Sequence, residues 1–99
     1  MTIKLVDNGS EGVLLLDGRL DSNSSPDAEE IFLQMSERFD RLVLNMARVS
    51  YISSAGLRAI KRIYLAMRKK GGELVLTNVS RIVMEVFEIT KFVGFLTFE

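Results

Sequence analysis

The chain has 99 residues, enough for one hydrophobic core and too few for two. Its 13 lysine and arginine residues are balanced by 13 aspartate and glutamate residues, so the net charge is zero, and no nucleic-acid partner is expected. Cysteine and histidine are both absent, which excludes disulfides and thiol chemistry and removes the usual general base and the commonest zinc ligand. An enzyme is therefore disfavoured, and neither a metal nor a cofactor is expected.

The N-terminus has no apolar run long enough for a signal peptide, and no segment is apolar over the length that spans a bilayer. A cytoplasmic chain without a membrane partner is expected. Thr2 to Asp7 alternates weakly, with Ile3 and Leu5 on one side, and predicts a short edge strand. Asn8-Gly9-Ser10 is a tight-turn signal leading into a second strand, Glu11 to Leu16. Its run Val13-Leu14-Leu15-Leu16 predicts burial on both faces. Asp17-Gly18-Arg19-Leu20-Asp21 is expected to leave the sheet.

In the polar loop that follows, Ser25 is the expected N-cap and Pro26 the first helical residue, with Asp27, Glu29 and Glu30 favouring the positive end of the helix dipole. Ala28, Ile31, Phe32, Met35 and Phe39 recur at helical spacing. Arg41 to Met46 predicts a third strand, and Ala47 to Ile52 a connection. A second helix is expected from Ser54 to Lys70, with an apolar stripe of Leu57, Ile60, Ile63, Tyr64 and Met67, ended by Gly71-Gly72. Glu73 to Thr77 predicts a fourth strand. Ser80 opens a short third helix with Ile82, Val83, Val86 and Phe87 inward, and Phe95 to Phe98 is a candidate last strand. The order β-β-α-β-α-β-α-(β) defines an α/β fold, a mixed four- to five-stranded sheet with helices packed on it through right-handed crossovers.

The segment that carries chemistry is Val49-Ser50-Tyr51-Ile52-Ser53-Ser54-Ala55-Gly56-Leu57-Arg58, where a strand hands over to a helix. Two hydroxyls here have a structural use, since one serine can cap the helix by accepting from a free backbone N–H. They also have a functional use. Free amides and the dipole accommodate a phosphate, and a phosphoserine would add nearly two negative charges to an exposed surface. Local physics leaves both readings open.

The sequence resembles the STAS family, which includes bacterial anti-sigma-factor antagonists. Gly18-Arg19-Leu20-Asp21 resembles the family's Gly-x-Leu-Asp strand end, Leu42 to Leu57 its strand, connection and Asp-Ser-Ser-Gly-Leu signature, and Glu73 to Thr90 the strand and helix that follow. The resemblance implies a STAS-like fold and a partner-switching cycle. The unphosphorylated antagonist binds an anti-sigma factor that is also a serine kinase of the histidine-kinase-like ATPase type. Phosphorylation releases it, and a PP2C-type phosphatase resets it. Aligned on Gly56-Leu57, the family aspartate falls on Ser53, the first serine on Ser54 and the phosphorylated residue on Ala55, which cannot accept phosphate. The Ser-Ser-Ala-Gly-Leu-Arg form resembles a recurrent variant in which the second serine is the acceptor. Ser54 is thus the expected phosphorylation site and Ser53 the second choice. Asn45 stands where many relatives have aspartate.

The partner-binding residues expected from this resemblance are Asp21, Ser53, Ser54, Gly56, Arg58, Lys61 and Arg62. Asp21 can equally be a turn residue bonding its own backbone. For the basic face of the second helix, the zero net charge favours a solvated surface balanced by the acids of the first. The phenylalanines of the C-terminal segment are expected to close the core. Many relatives continue into one further helix, and its absence beyond Glu99 raises weak homodimerisation through the face near Phe95 to Phe98. Two rival functions remain, a STAS scaffold that is not phosphorylated, as Ala55 permits, and a small-ligand sensor, against which the lack of a Walker-type phosphate loop weighs.

Overall fold

A computed structural model describes residues 1–99. The elements in chain order are β1 (Thr2–Asn8), β2 (Glu11–Leu20), α1 (Ser25–Arg38), β3 (Arg41–Ile52), α2 (Ser54–Lys69), β4 (Glu73–Thr77), α3 (Arg81–Ile89), a 3-10 turn (Phe92–Gly94) and β5 (Thr97–Phe98). They form one five-stranded sheet in the order β1-β2-β3-β4-β5. The β1–β2 hairpin is antiparallel and every other pair is parallel, as helical crossovers require.

Apolar residues from all three helices meet one face of the sheet. Leu14, Leu16, Leu42, Leu44, Leu74 and Leu76 point into a single core with Phe32 of α1, Ile60, Ile63 and Met67 of α2, and Val83 and Phe87 of α3. The C-terminal rings close one end of it, as expected, with Phe87 against Phe98 and Tyr64 against Phe95. On the other face, Arg41 ties the strand starts and the C-terminus together through ion pairs with Glu11, Glu73 and Glu99. These partners hold its guanidinium well above its ordinary pKa, Glu99 most strongly.

Four details differ from the sequence expectation. First, the Val13–Leu16 run is not buried on both faces. Leu14 and Leu16 are buried, Val13 is half-buried and Leu15 is exposed, because no helix of the core covers the second face. Second, β2 and β3 do not end at Leu16 and Met46. Their extensions pair with one another, through Gly18↔Val49, Arg19↔Tyr51 and Leu20↔Ile52. The register shifts twice between them, and each shift places one extra residue in β3. These bulges break the alternation at Ala47-Arg48 and mask the strand in the sequence. The side chain of Asn45 accepts from the Ala47 amide at 3.1 Å, serving a backbone group at the first irregularity.

Third, the residue preceding α1 is Ser24, and Ser25 is already helical, its amide donating to the Asp21 carbonyl at 2.8 Å. The turn built on Asp21 closes one residue earlier than the Ser-Pro pair suggests. Fourth, Ile82 is 69% exposed, because the buried stripe of α3 centres on Val83 and Phe87, and one residue of helix turns a side chain by about 100°. The end of α2 is as expected. Gly71 takes the left-handed conformation, φ +76°, that often ends helices and that glycine adopts without Cβ strain.

Candidate functional site

The extended pairing of β2 with β3 brings Leu20 and Ile52 to the same edge of the sheet, and α1 and α2 both start there. Ligand and partner sites of open α/β sheets gather at this carboxyl edge. The Ser53 amide donates to the Leu20 carbonyl at 2.9 Å, which ties the start of α2 to the end of β2. Gly56 makes that approach feasible. A Cβ there would lie 2.6 Å from the Leu20 carbonyl oxygen and 2.9 Å from the Ile52 side chain. Gly56 is buried, so it positions the helix start and offers no side chain to a partner.

The two serines differ in exposure and bonding. Ser53 is the N-cap of α2, and its hydroxyl accepts from the Gly56 amide at 3.3 Å. Ser54 is the first helical residue, exposed, with no side-chain hydrogen bond. Helical spacing continues from Ser54 to Arg58 and Lys61, both exposed and without ion pairs, and then to Leu65, which is also exposed. Arg62 turns the other way and donates to Glu29 of α1 at 2.9 Å, so the balance between the helices holds for this arginine. Arg58 and Arg62 therefore do not form one free basic pair.

Asp21 is a turn residue. Its Oδ1 accepts from the amides of Asn23 at 3.0 Å and Ser24 at 3.1 Å, and Arg19 approaches its other oxygen at 3.6 Å. The Ser24 amide is the main cause that holds its carboxyl below the usual carboxylate range, aided by the Asn23 amide, the Ser24 hydroxyl and Arg19, and opposed by partial desolvation. Asp21 thus stays ionised while organising the loop into α1. Asn45 lies eight residues before Ser53 along an extended strand, roughly 25 Å away at strand rise, so it is not part of this edge.

A feature of this edge that sequence reasoning missed is Tyr51, exposed and stacked under the Arg19 guanidinium at 4.2 Å. Strand alternation gave no signal for it, because the extra residue of the second bulge leaves Val49 and Ile52 buried and Tyr51 exposed between them. No group of three or more carboxylate, histidine or cysteine side chains is placed to hold a metal ion, and no helix is long and apolar enough to cross a membrane.

A mixed sheet whose helices share one core, with a serine pair at the strand-to-helix handover, defines the class, and comparison with known proteins agrees with it. The sequence profile of the STAS domain matches residues 2–99, and the chain belongs to that family. It is 37% identical over 95 residues to BtrV of Bordetella bronchiseptica, named an anti-sigma factor antagonist, covering 93% of this chain and 82% of that protein. It is 32% identical over 73 residues to the anti-sigma-B factor antagonist of Bacillus subtilis, covering 74% and 67%. The fold matches SpoIIAA, an anti-sigma factor antagonist of Bacillus, in its unphosphorylated form with a TM-score of 0.78 at 17% identity, over 99% of this chain and 87% of that one. The phosphorylated form of SpoIIAA matches with a TM-score of 0.76 at 17% identity, over 99% and 91%.

Proposed function

We propose that this STAS domain is a non-enzymatic, cytoplasmic anti-sigma-factor antagonist. It docks an anti-sigma factor that is also a serine kinase of the histidine-kinase-like ATPase type, using the edge that carries Asp21, Ser53, Ser54, Arg58 and Lys61. Phosphorylation of Ser54 releases it, and a PP2C-type phosphatase resets it. The role is the one named for relatives at 37% and 32% identity. The observation that favours Ser54 as the switch is the division of labour at the start of α2. Ser53 is committed to capping, whereas the Ser54 hydroxyl is exposed and unbonded. A phosphoryl group on Ser54 meets the positive end of a 16-residue helix, so it is tolerated by the fold while placing close to two negative charges on the docking surface.

The test is intact-mass spectrometry with site mapping on protein from its native cells, beside Ser54→Ala. One added phosphate that maps to Ser54 and vanishes in the variant is expected, and Ser54→Asp weakens kinase binding by about tenfold or more through like-charge repulsion and lost desolvation balance. Phosphate on Ser53 would move the switch by one residue. A second reading, a docking scaffold without a switch, is favoured by Ala55 at the family's acceptor position. The absence of phosphate under every growth condition, with partner binding intact, selects it.

A further inference from the structure

The uncovered face of the sheet meets the docking edge at Arg19 and Tyr51. Leu20 and Ile52 are paired and buried in the core, so Arg19 and Tyr51, paired one position earlier, lie on the face that no helix covers. We propose that Arg19 and Tyr51 belong to the docking surface, as an anchor for an acidic patch of the anti-sigma factor that reaches over the edge from α2 onto the sheet. The contact rests on the antagonist function proposed above. Three observations support it.

The first is the pair itself. Of the six phenylalanines and two tyrosines, Tyr51 alone is exposed, at 40%. Tyrosine and arginine are the residue types that dominate interface energies, and here they stand already assembled. The Arg19 guanidinium lies 4.2 Å from the ring centroid and 3.6 Å from the Asp21 carboxylate, so less side-chain freedom remains to be lost on binding. The second is the bulge between Gly18↔Val49 and Arg19↔Tyr51. Without its extra residue, Ser50, Tyr51 would stand opposite Leu20 and face the core; with it, Tyr51 turns outward beside Arg19.

The third is extent and charge. A specific interface engages about 20–30 residues a side, far more than the exposed start of one helix supplies, so docking extends beyond α2. Tyr51 precedes Ser54 by three residues, which span at most about 11 Å, so the anchor adjoins the switch hydroxyl. Arg58 and Lys61 have no ion pair and Arg19 is held only loosely by Asp21. These three cations, carried by β2 and α2, select a partner surface rich in carboxylates.

The test is calorimetric titration of the full chain against the purified histidine-kinase-like anti-sigma factors encoded in its own genome, beside Tyr51→Ala, Tyr51→Phe and Arg19→Ala. Tyr51→Ala should raise Kd about tenfold or more and Arg19→Ala severalfold, whereas Tyr51→Phe, which keeps the stacked ring, stays near wild type. Each variant should keep a urea midpoint close to wild type, since both side chains are exposed. In phosphotransfer to Ser54, Tyr51→Ala should raise KM with kcat unchanged, which a displaced Ser54 would not produce. Potassium chloride should weaken binding, and less steeply in Arg19→Ala. Wild-type affinity in Tyr51→Ala and Arg19→Ala, a fall in kcat without a rise in KM, or an unchanged salt slope overturns the anchor while the α2 docking edge stands. Failure of the wild-type chain to bind any such anti-sigma factor overturns both.

Discussion

At the scale of single residues, the start of α2 separates groups that hold the fold from groups free to act outside it. Ser53 and Gly56 hold. Ser53→Ala removes one N-cap bond, whose 3.3 Å length puts it among the weaker ones, so a loss of about 0.5–1 kcal/mol is expected in urea unfolding. The same variant should still take phosphate on Ser54. A loss of phosphate there, with the protein folded, would make Ser53 the acceptor. Gly56→Ala sets two effects against each other. Alanine favours helix by up to about 1 kcal/mol, but less in a first turn. Its Cβ would sit 2.6 Å from a backbone oxygen, which cannot swing away as a flexible side chain can. Overpacking therefore wins, and a net loss of about 1–3 kcal/mol is expected, measured as a lower urea midpoint at unchanged m-value. A neutral outcome would show that the α2 start slides off β2 at no cost.

At the scale of elements, the loop between β2 and α1 depends on the charge of Asp21. Its pKa is lower in the folded state than in the unfolded chain, so at acid pH the unfolded chain binds the proton more readily, and stability rises with pH there. The contribution is fully present at neutral pH and is lost as the pH falls through the depressed folded value. Asp21→Ala should therefore be less stable than wild type at neutral pH, and the gap should narrow as the pH drops below the ordinary carboxylate range. A gap that stays constant in urea melts across that range would remove the ionised carboxylate from the account. The same loop shows how far the sequence could be read. The helices were legible because Phe32, Ile60, Ile63, Met67, Val83 and Phe87 keep the helical period, and Gly71 marks an end. The ends of β2 and β3 were not, because two bulges shift the strand period and Gly18 and Ala47 dilute its apolar signal. The serine pair was legible as the start of α2 and as a candidate site, but which serine caps depends on where β3 ends, and that depends on the bulges.

At the scale of the whole molecule, the decisive asymmetry is that all three helices contribute to a core on one face of the sheet. The parallel crossovers all advance in one direction, from β2 to β5, and right-handedness then puts every helix on the same side. The second face is left to the strands, with Val43 and Val75 buried at the centre and Val6 and Leu15 open towards the β1 edge. Hydrophobicity in β2 is thus a poor guide to its energetic weight, since Leu14 and Leu15 are adjacent and chemically identical. Leu14 is fully buried among the helices, and Leu14→Ala should cost about 2–5 kcal/mol through lost burial and the cavity left behind. Leu15 is 38% exposed on the uncovered face, where a lysine can lay its stem along the sheet and keep its ammonium in water. Leu15→Lys should therefore cost less than about 1 kcal/mol, most of it strand propensity. Urea unfolding of the two variants side by side measures the asymmetry directly. Comparable losses would mean that something covers the second face in solution, and concentration-dependent unfolding of the wild type would then identify the cover as a second copy of the chain.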